Sequence, residues 1–320
     1  MFNTLTTCYL FLGGTGAGAL AVLSALECIG ARESHLNPAA SASSPISKRS
    51  SIRAALTLPD DCFSRCWPVC FIALATGILC LFADLGRPDR IINLLLTPEP
   101  SAIAVGSYML VGSLVCSAAF SALALLDTPR IPRAATVILA LIGIITGIAT
   151  MTYTGLLLQS MASVLFWQTW LLPALFILSS LSCGFGIVFL GATFVETRQP
   201  FIYPLVWLSR FDSILIIAEA ICLAAYVGLA QGNEGTALAA NALLFGEMSW
   251  LFWIGLVASG LTAPLVMERF VTHGNYRTQL LWIAVFLLVG GFILRLCIIG
   301  TADYDITQMP ELLNGLTLLS

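Results

Sequence analysis

The sequence predicts an all-α fold, a polytopic membrane bundle of eight transmembrane helices with both termini on the extracytoplasmic side. Three observations carry that prediction. Hydrophobic residues fill 58% of the 320 positions, mean hydropathy is +0.95, and charged residues make up 10%, where a soluble domain carries about a quarter. Eight apolar runs approach the roughly 20 residues that cross the hydrocarbon core as a helix. Lys and Arg are also unevenly shared between alternate connections.

The first run, near 5–29, is preceded by no basic segment, so residues 1–29 are expected to be a retained helix rather than a removed signal. The connection 30–65, rich in Ser, Ala and Pro, is expected to be a mobile cytoplasmic loop. A second span near 66–85 is closed by Gly86 and Pro88. Beyond it, the apolar run Ile91, Ile92, Leu94, Leu95 and Leu96 is too short to span and is expected to lie along the outer interface. Pro129 and Pro132 divide the third span, near 102–126, from the fourth, near 134–158. The fifth is placed near 168–195, and the sixth near 212–230 is followed by Gly232 and Gly235. The last two lie near 246–267 and 278–300, leaving an extracytoplasmic tail at 301–320. Alternate connections then hold 11 Lys and Arg against 2, with Arg295 left inside the eighth span. By the positive-inside rule the richer set is cytoplasmic.

Composition excludes some functions. A net charge of −3 with no dense basic cluster gives nucleic acid no electrostatic footing. His35 and His273 both fall outside the apolar runs, so no helix pair supplies two axial ligands for a b-type haem. Cys62, Cys66 and Cys70 are spaced too widely for a cluster-binding run and read as packing residues, so no metal is expected in this chain.

The unusual polar residues gather toward the outer ends of the spans. They include Tyr9 and the run Gly13 to Gly18 in span 1, Asp84 ending span 2, and Tyr153 ending span 4. Arg295 lies below the outer end of span 8 and needs a partner or water, because an isolated charge in the bilayer is costly. Gly14 and Gly18, four apart, favour close helix packing. The outer tryptophans Trp167, Trp170, Trp250 and Trp253 fit interface anchors. Asp84 either satisfies the neighbouring Arg87 or Arg90 or serves function. Asp212, Glu219 and Tyr226 recur every seven residues and so share one face of span 6. That stripe suits either a proton relay or structural pairing.

Taken together, YLFLGGTGAGA at 9–19, DLGRPDR at 84–90, YTGLLLQ at 153–159, FW at 166–167, LLPALF at 171–176 and GGFILRL at 290–296 resemble the NrfD/PsrC family. These are integral membrane subunits of polysulfide reductase, formate-linked nitrite reductase and related complexes. The resemblance implies a haem-free quinol dehydrogenase subunit in the cytoplasmic membrane, with menaquinone or another quinone as exchangeable substrate. It also implies an extracytoplasmic ferredoxin-like iron–sulfur partner and a catalytic subunit, often molybdopterin-dependent. Tyr153 matches the tyrosine of the YTG motif and Asp84 the acid opening DLGRP; some relatives carry Asn or His near the outer end of helix 1, where this chain has Asn3, Thr6, Thr7 and Tyr9. Tyr153, Asp84, Arg295 and Tyr9 are the expected quinone-site residues, with Asp212, Glu219 and Tyr226 as relay candidates. A secondary transporter and a passive membrane anchor remain as alternative readings.

Overall fold

The computed structural model of the chain describes residues 4–36, 58–85, 102–126, 132–161, 164–195, 202–232, 234–270 and 276–301. Eight helices in these segments are long and apolar enough to cross a membrane. They are α1 (Thr4–Leu36), α2 (Asp60–Leu85), α3 (Ala102–Leu125), α4 (Arg133–Gln159), α5 (Leu171–Thr193), α6 (Ile202–Gln231), α8 (Leu251–Arg269) and α9 (Tyr276–Gly300). A shorter helix, α7 (Glu234–Phe245), falls where the sequence suggested only a connection. Its 12 residues are apolar but too short to span. The Trp253 indole of α8 donates to the Leu244 carbonyl of α7 at 3.1 Å, which ties α7 to the next crossing. Of the loop read at 30–65, residues 37–57 lie outside the described residues, as do the interfacial run at 86–101 and the tail beyond 301, while α1 runs on to Leu36 and α2 starts at Asp60.

Two spans differ from their expected limits for clear reasons. Helix α6 begins at Ile202, ten residues before the expected start, because Pro204 sits in the first turn, where its missing N–H costs nothing. Arg210 in that extension lies 5.4 Å from the Trp207 ring. Helix α8 runs on through Glu268 and Arg269, and its first 12 residues wind as a π-helix. Thr262 Oγ1 donates back to the Val257 carbonyl five residues earlier, and the wider winding ends just before Pro264. Such winding is rare and leaves room inside a helix for a residue with no N–H to donate.

Burial ranks the helices. The most apolar stretch of α1 is 83% buried inside the protein, against 67% for α5, 56% for α9 and 28–33% for the others. Helix α1 is therefore the axis of the bundle, packed by α2, α4, α5 and, at one end, α9. Glycine makes this possible at one crossing above all. A Cβ built on Gly18 would overlap the Ser180 carbonyl of α5, and one on Gly184 would lie 2.5 Å from the Gly18 carbonyl carbon. In lipid, where apolar burial drives no association between helices, such backbone proximity supplies van der Waals attraction instead. Cys62, Cys66 and Cys70 serve the same close packing. The Cys66 thiol points at the carbonyls of Ile187 and Val188, and Cys70 Sγ donates to the Gly16 carbonyl at 3.4 Å.

Candidate functional site

One turn of α1 organises the polar residues near the face from which the chain starts. Thr6, Tyr9 and Leu10 lie within about 6 Å along the helix axis. Each meets one of the residues singled out from the sequence. Thr6 Oγ1 donates to Asp84 Oδ2 at the end of α2, at 2.7 Å. Tyr9 faces Tyr153 of α4, and Tyr153 also engages the Ser107 hydroxyl of α3. The Tyr153 ring fits because residue 106 of α3 is glycine, whose Cβ position the ring occupies. Leu10 offers its carbonyl to Arg295 Nε at 3.1 Å. Asp84 and Arg295 are thus joined through α1 rather than directly, while Tyr9 and Tyr153 are direct neighbours.

Arg295 is fully buried five residues from the end of α9. Its remaining donors reach the Gly291 carbonyl at 2.6 Å, Ser179 Oγ at 3.3 Å and Ser180 Oγ at 2.7 Å. The rings of Phe11 and Phe176 lie 5.8 and 5.4 Å from its guanidinium carbon. Ser179 in turn hydrogen-bonds Glu219, so the arginine meets its counter-charge across one hydroxyl. Neither serine stood out in the sequence, since Ser is a common small residue in membrane helices and only the fold aims these two at Arg295.

The seven-residue stripe of α6 does share one buried face, with Asp212, Glu219 and Tyr226 exposed by 0, 5 and 1%. The three have different neighbours. Tyr226 Oη donates to the Phe166 carbonyl at 2.7 Å, and its ring packs edge-on to Phe166 at 4.9 Å. That bond anchors the turn Leu165–Trp167, whose Trp167 indole donates to the Ile298 carbonyl at 2.9 Å. Glu219 belongs with Ser179 and Arg295. Asp212 faces Glu268 of α8, with Ser182 beside it, and Glu268 Oε2 accepts from Ser213. Sequence reading missed Glu268 because, next to Arg269 at the end of an apolar run, it looks like the start of a loop.

These groups form a buried polar path. From Arg295 it passes Ser179 and Glu219, then Cys183 and Ser182, and reaches Asp212 and Glu268, while Tyr9 adjoins its Arg295 end only through the neighbouring Leu10 carbonyl. It ends beside a cleft of about 480 Å³ lined by Ser213, Ile217, Leu265, Val266, Arg269 and Phe270. On the other face a cleft of about 210 Å³, bordered by Thr4, Thr7, Met248, Leu251 and Leu296, opens between α1, α8 and α9. Tyr9 Oη is buried and faces the Tyr153 phenol without closing a normal hydrogen bond. An unpaired buried hydroxyl costs about 1–3 kcal/mol, a cost that a ligand oxygen would relieve. Among the described residues, no group of three or more His, Cys, Asp or Glu is placed to hold a metal.

Residues 1–306 match the polysulphide reductase, NrfD family. Protein NrfD of Escherichia coli is 30% identical over 149 residues, covering 46% of this chain and 47% of that one. A polysulfide reductase polypeptide of Wolinella succinogenes is 31% identical over 144 residues, 42% of this chain and 44% of that one. The NrfD homolog of Haemophilus influenzae is 28% identical over 173 residues, 53% of each chain. These alignments span about half the length of the curated relatives.

Proposed function

Since the chain belongs to the polysulphide reductase, NrfD family and carries eight helices that fit a membrane, we propose that it is the quinol-oxidising membrane subunit of a respiratory oxidoreductase. In this reading a quinol, menaquinol or another, gives up two electrons and two protons. The electrons pass outward to a partner's iron–sulfur cluster and on to a catalytic subunit, of the molybdopterin type that the family resemblance suggests. The observation that carries the proposal is the Tyr9–Tyr153 pair, two buried phenols that face each other without closing a normal hydrogen bond at Tyr9 Oη. Two adjacent phenol hydroxyls can hydrogen-bond one oxygen of a quinol ring from two directions and hold it in register. Asp84, held by Thr6, is the nearby carboxylate that can receive a released proton. Arg295 supplies fixed positive charge one helical turn below, and Glu219 extends the route by which protons would move.

Two measurements test this. In assembled complexes, normalised to bound partner subunit, Tyr153→Phe should weaken quinol oxidation by about 1–3 kcal/mol, the value of a desolvated hydrogen bond. Asp84→Asn should lower the rate more than the affinity. Wild-type rates and inhibitor affinity in both variants would leave the passive anchor as the better reading. The buried path reaching the cleft at Ser213 and Arg269 favours a transporter as the other alternative. Isolation of the native complex without a cluster-bearing companion would support it.

The proposal also fixes orientation, since quinol oxidation next to an extracytoplasmic partner needs the N-terminal face outside. Reporter fusions after Ser50 and Ser320 should then report opposite sides of the membrane. Matching sides would reject the orientation drawn from the 11-to-2 distribution of Lys and Arg.

A further inference from the structure

The contact between Asp212 and Glu268 has no use in the proposed quinol chemistry, which takes place near the other face. It joins α6 to α8, and its hydrogen-bond count does not close. Neither oxygen of Asp212, nor Oε1 of Glu268, has a donor among the described residues. Ser182 Oγ faces Asp212 without closing a normal hydrogen bond to it, and is the hydroxyl placed to serve one of its oxygens. Ser213 has one hydroxyl proton and two acceptors in reach, Glu268 Oε2 and the Ser209 carbonyl at 2.9 Å. Ionised carboxylates only accept hydrogen bonds. Two of them facing each other in a buried site would leave three oxygens unsatisfied and two like charges adjacent. One added proton removes one of the charges and, placed between the carboxyl groups, serves one oxygen of each, leaving the second Asp212 oxygen to the Ser182 hydroxyl beside it. Ser213 then stays free to serve either Glu268 Oε2 or the Ser209 carbonyl.

We propose that Asp212 and Glu268 form a two-carboxyl site holding one exchangeable proton, traded with water through the cleft at Ser213 and Arg269. Ser213 both touches Glu268 and lines that cleft, so the site stands one hydroxyl from the opening. The charged and titratable groups around it are Glu219 on the same helix, Cys183 on α5, Arg269 beside Glu268, and Arg295 of α9 beyond Glu219. The pair is the last carboxyl group on the polar path before the face opposite Tyr9, which makes it the port for protons on that side. The use of that proton in turnover rests on the quinol reading. The site itself does not.

Infrared spectroscopy of the purified full chain in H₂O and D₂O tests the site without quinone. The wild type should show the carbonyl stretch of a protonated carboxylic acid that shifts promptly on exchange into D₂O. Asp212→Asn and Glu268→Gln should each abolish this band, because the new amide supplies the missing donor. Glu219→Gln should leave it. Ser213→Ala keeps both carboxyl groups and should move the frequency, which provides a reading even if an amide variant fails to assemble. A band that survives both amide variants, ignores Ser213→Ala or fails to exchange would overturn the proposal. Quinone affinity of the same preparation separates the two ideas: an exchanging band without quinone binding sinks the quinol reading alone, and quinone binding without the band sinks the proton site alone.

Discussion

Gly18→Ala is expected to destabilise the bundle by about 3 kcal/mol or more, the upper end of the usual cost of overpacking. The new methyl would meet the Ser180 carbonyl, and from the other side Gly184 already lies against the Gly18 backbone. No flexible side chain can move aside, because both obstacles are main chain. Relief requires α1 and α5 to separate, which would also pull Ser179 and Ser180 away from Arg295. Gly228→Ala on α6 is the matched control, since nothing lies within 4 Å of its added Cβ. Helix propensity alone should raise stability there by up to about 1 kcal/mol. Steric-trap or SDS unfolding of the two variants measures the difference, and equal effects would contradict the close crossing.

The second large effect is at the other end of the same contact. Arg295→Met should cost about 3–5 kcal/mol, the usual penalty for leaving one partner of a buried charge pair behind. The long apolar side chain keeps much of the packing against Phe11 and Phe176 but removes every donor to Leu10, Ser179 and Ser180. Glu219 would then lose its counter-charge across Ser179. Adding Glu219→Gln should recover part of the loss, with a coupling of about 0.5–3 kcal/mol in the double-mutant cycle. Strictly additive losses would mean that Ser179 insulates the two charges rather than linking them.

These pairs show where sequence reading succeeds and stops. The eight crossings were legible because the bilayer sets a length that composition must meet, and the glycine run of α1 could be read as close packing from its spacing. Arg295 could be recognised as needing a partner, but its partners lie 115 and 116 residues away on a helix whose serines carry no local signal. Likewise the period of seven put Asp212, Glu219 and Tyr226 on one face, yet said nothing of what each would touch. Tyr226 turned out to be tied to a backbone carbonyl, and Asp212 to Glu268. The early start of α6 and the late end of α8 were hidden by polar residues, Ser209 and Arg210 in one case and Glu268 and Arg269 in the other. A hydropathy criterion ends a helix at such residues, whereas a helix that finds partners for them continues.

The bond from Arg295 to the Leu10 carbonyl joins residues 285 apart, the last crossing to the first. At ordinary elongation rates, roughly 15 to 60 s pass between the synthesis of the two. Throughout that interval α1, the axis of the finished bundle, has no final partner on its α9 side. Its Leu10 carbonyl and the Phe11 ring, which meet Arg295 and Phe292, must wait while the remaining helices arrive. Biogenesis is therefore committed late. A polypeptide truncated before α9 leaves the earliest helix unfinished on that side.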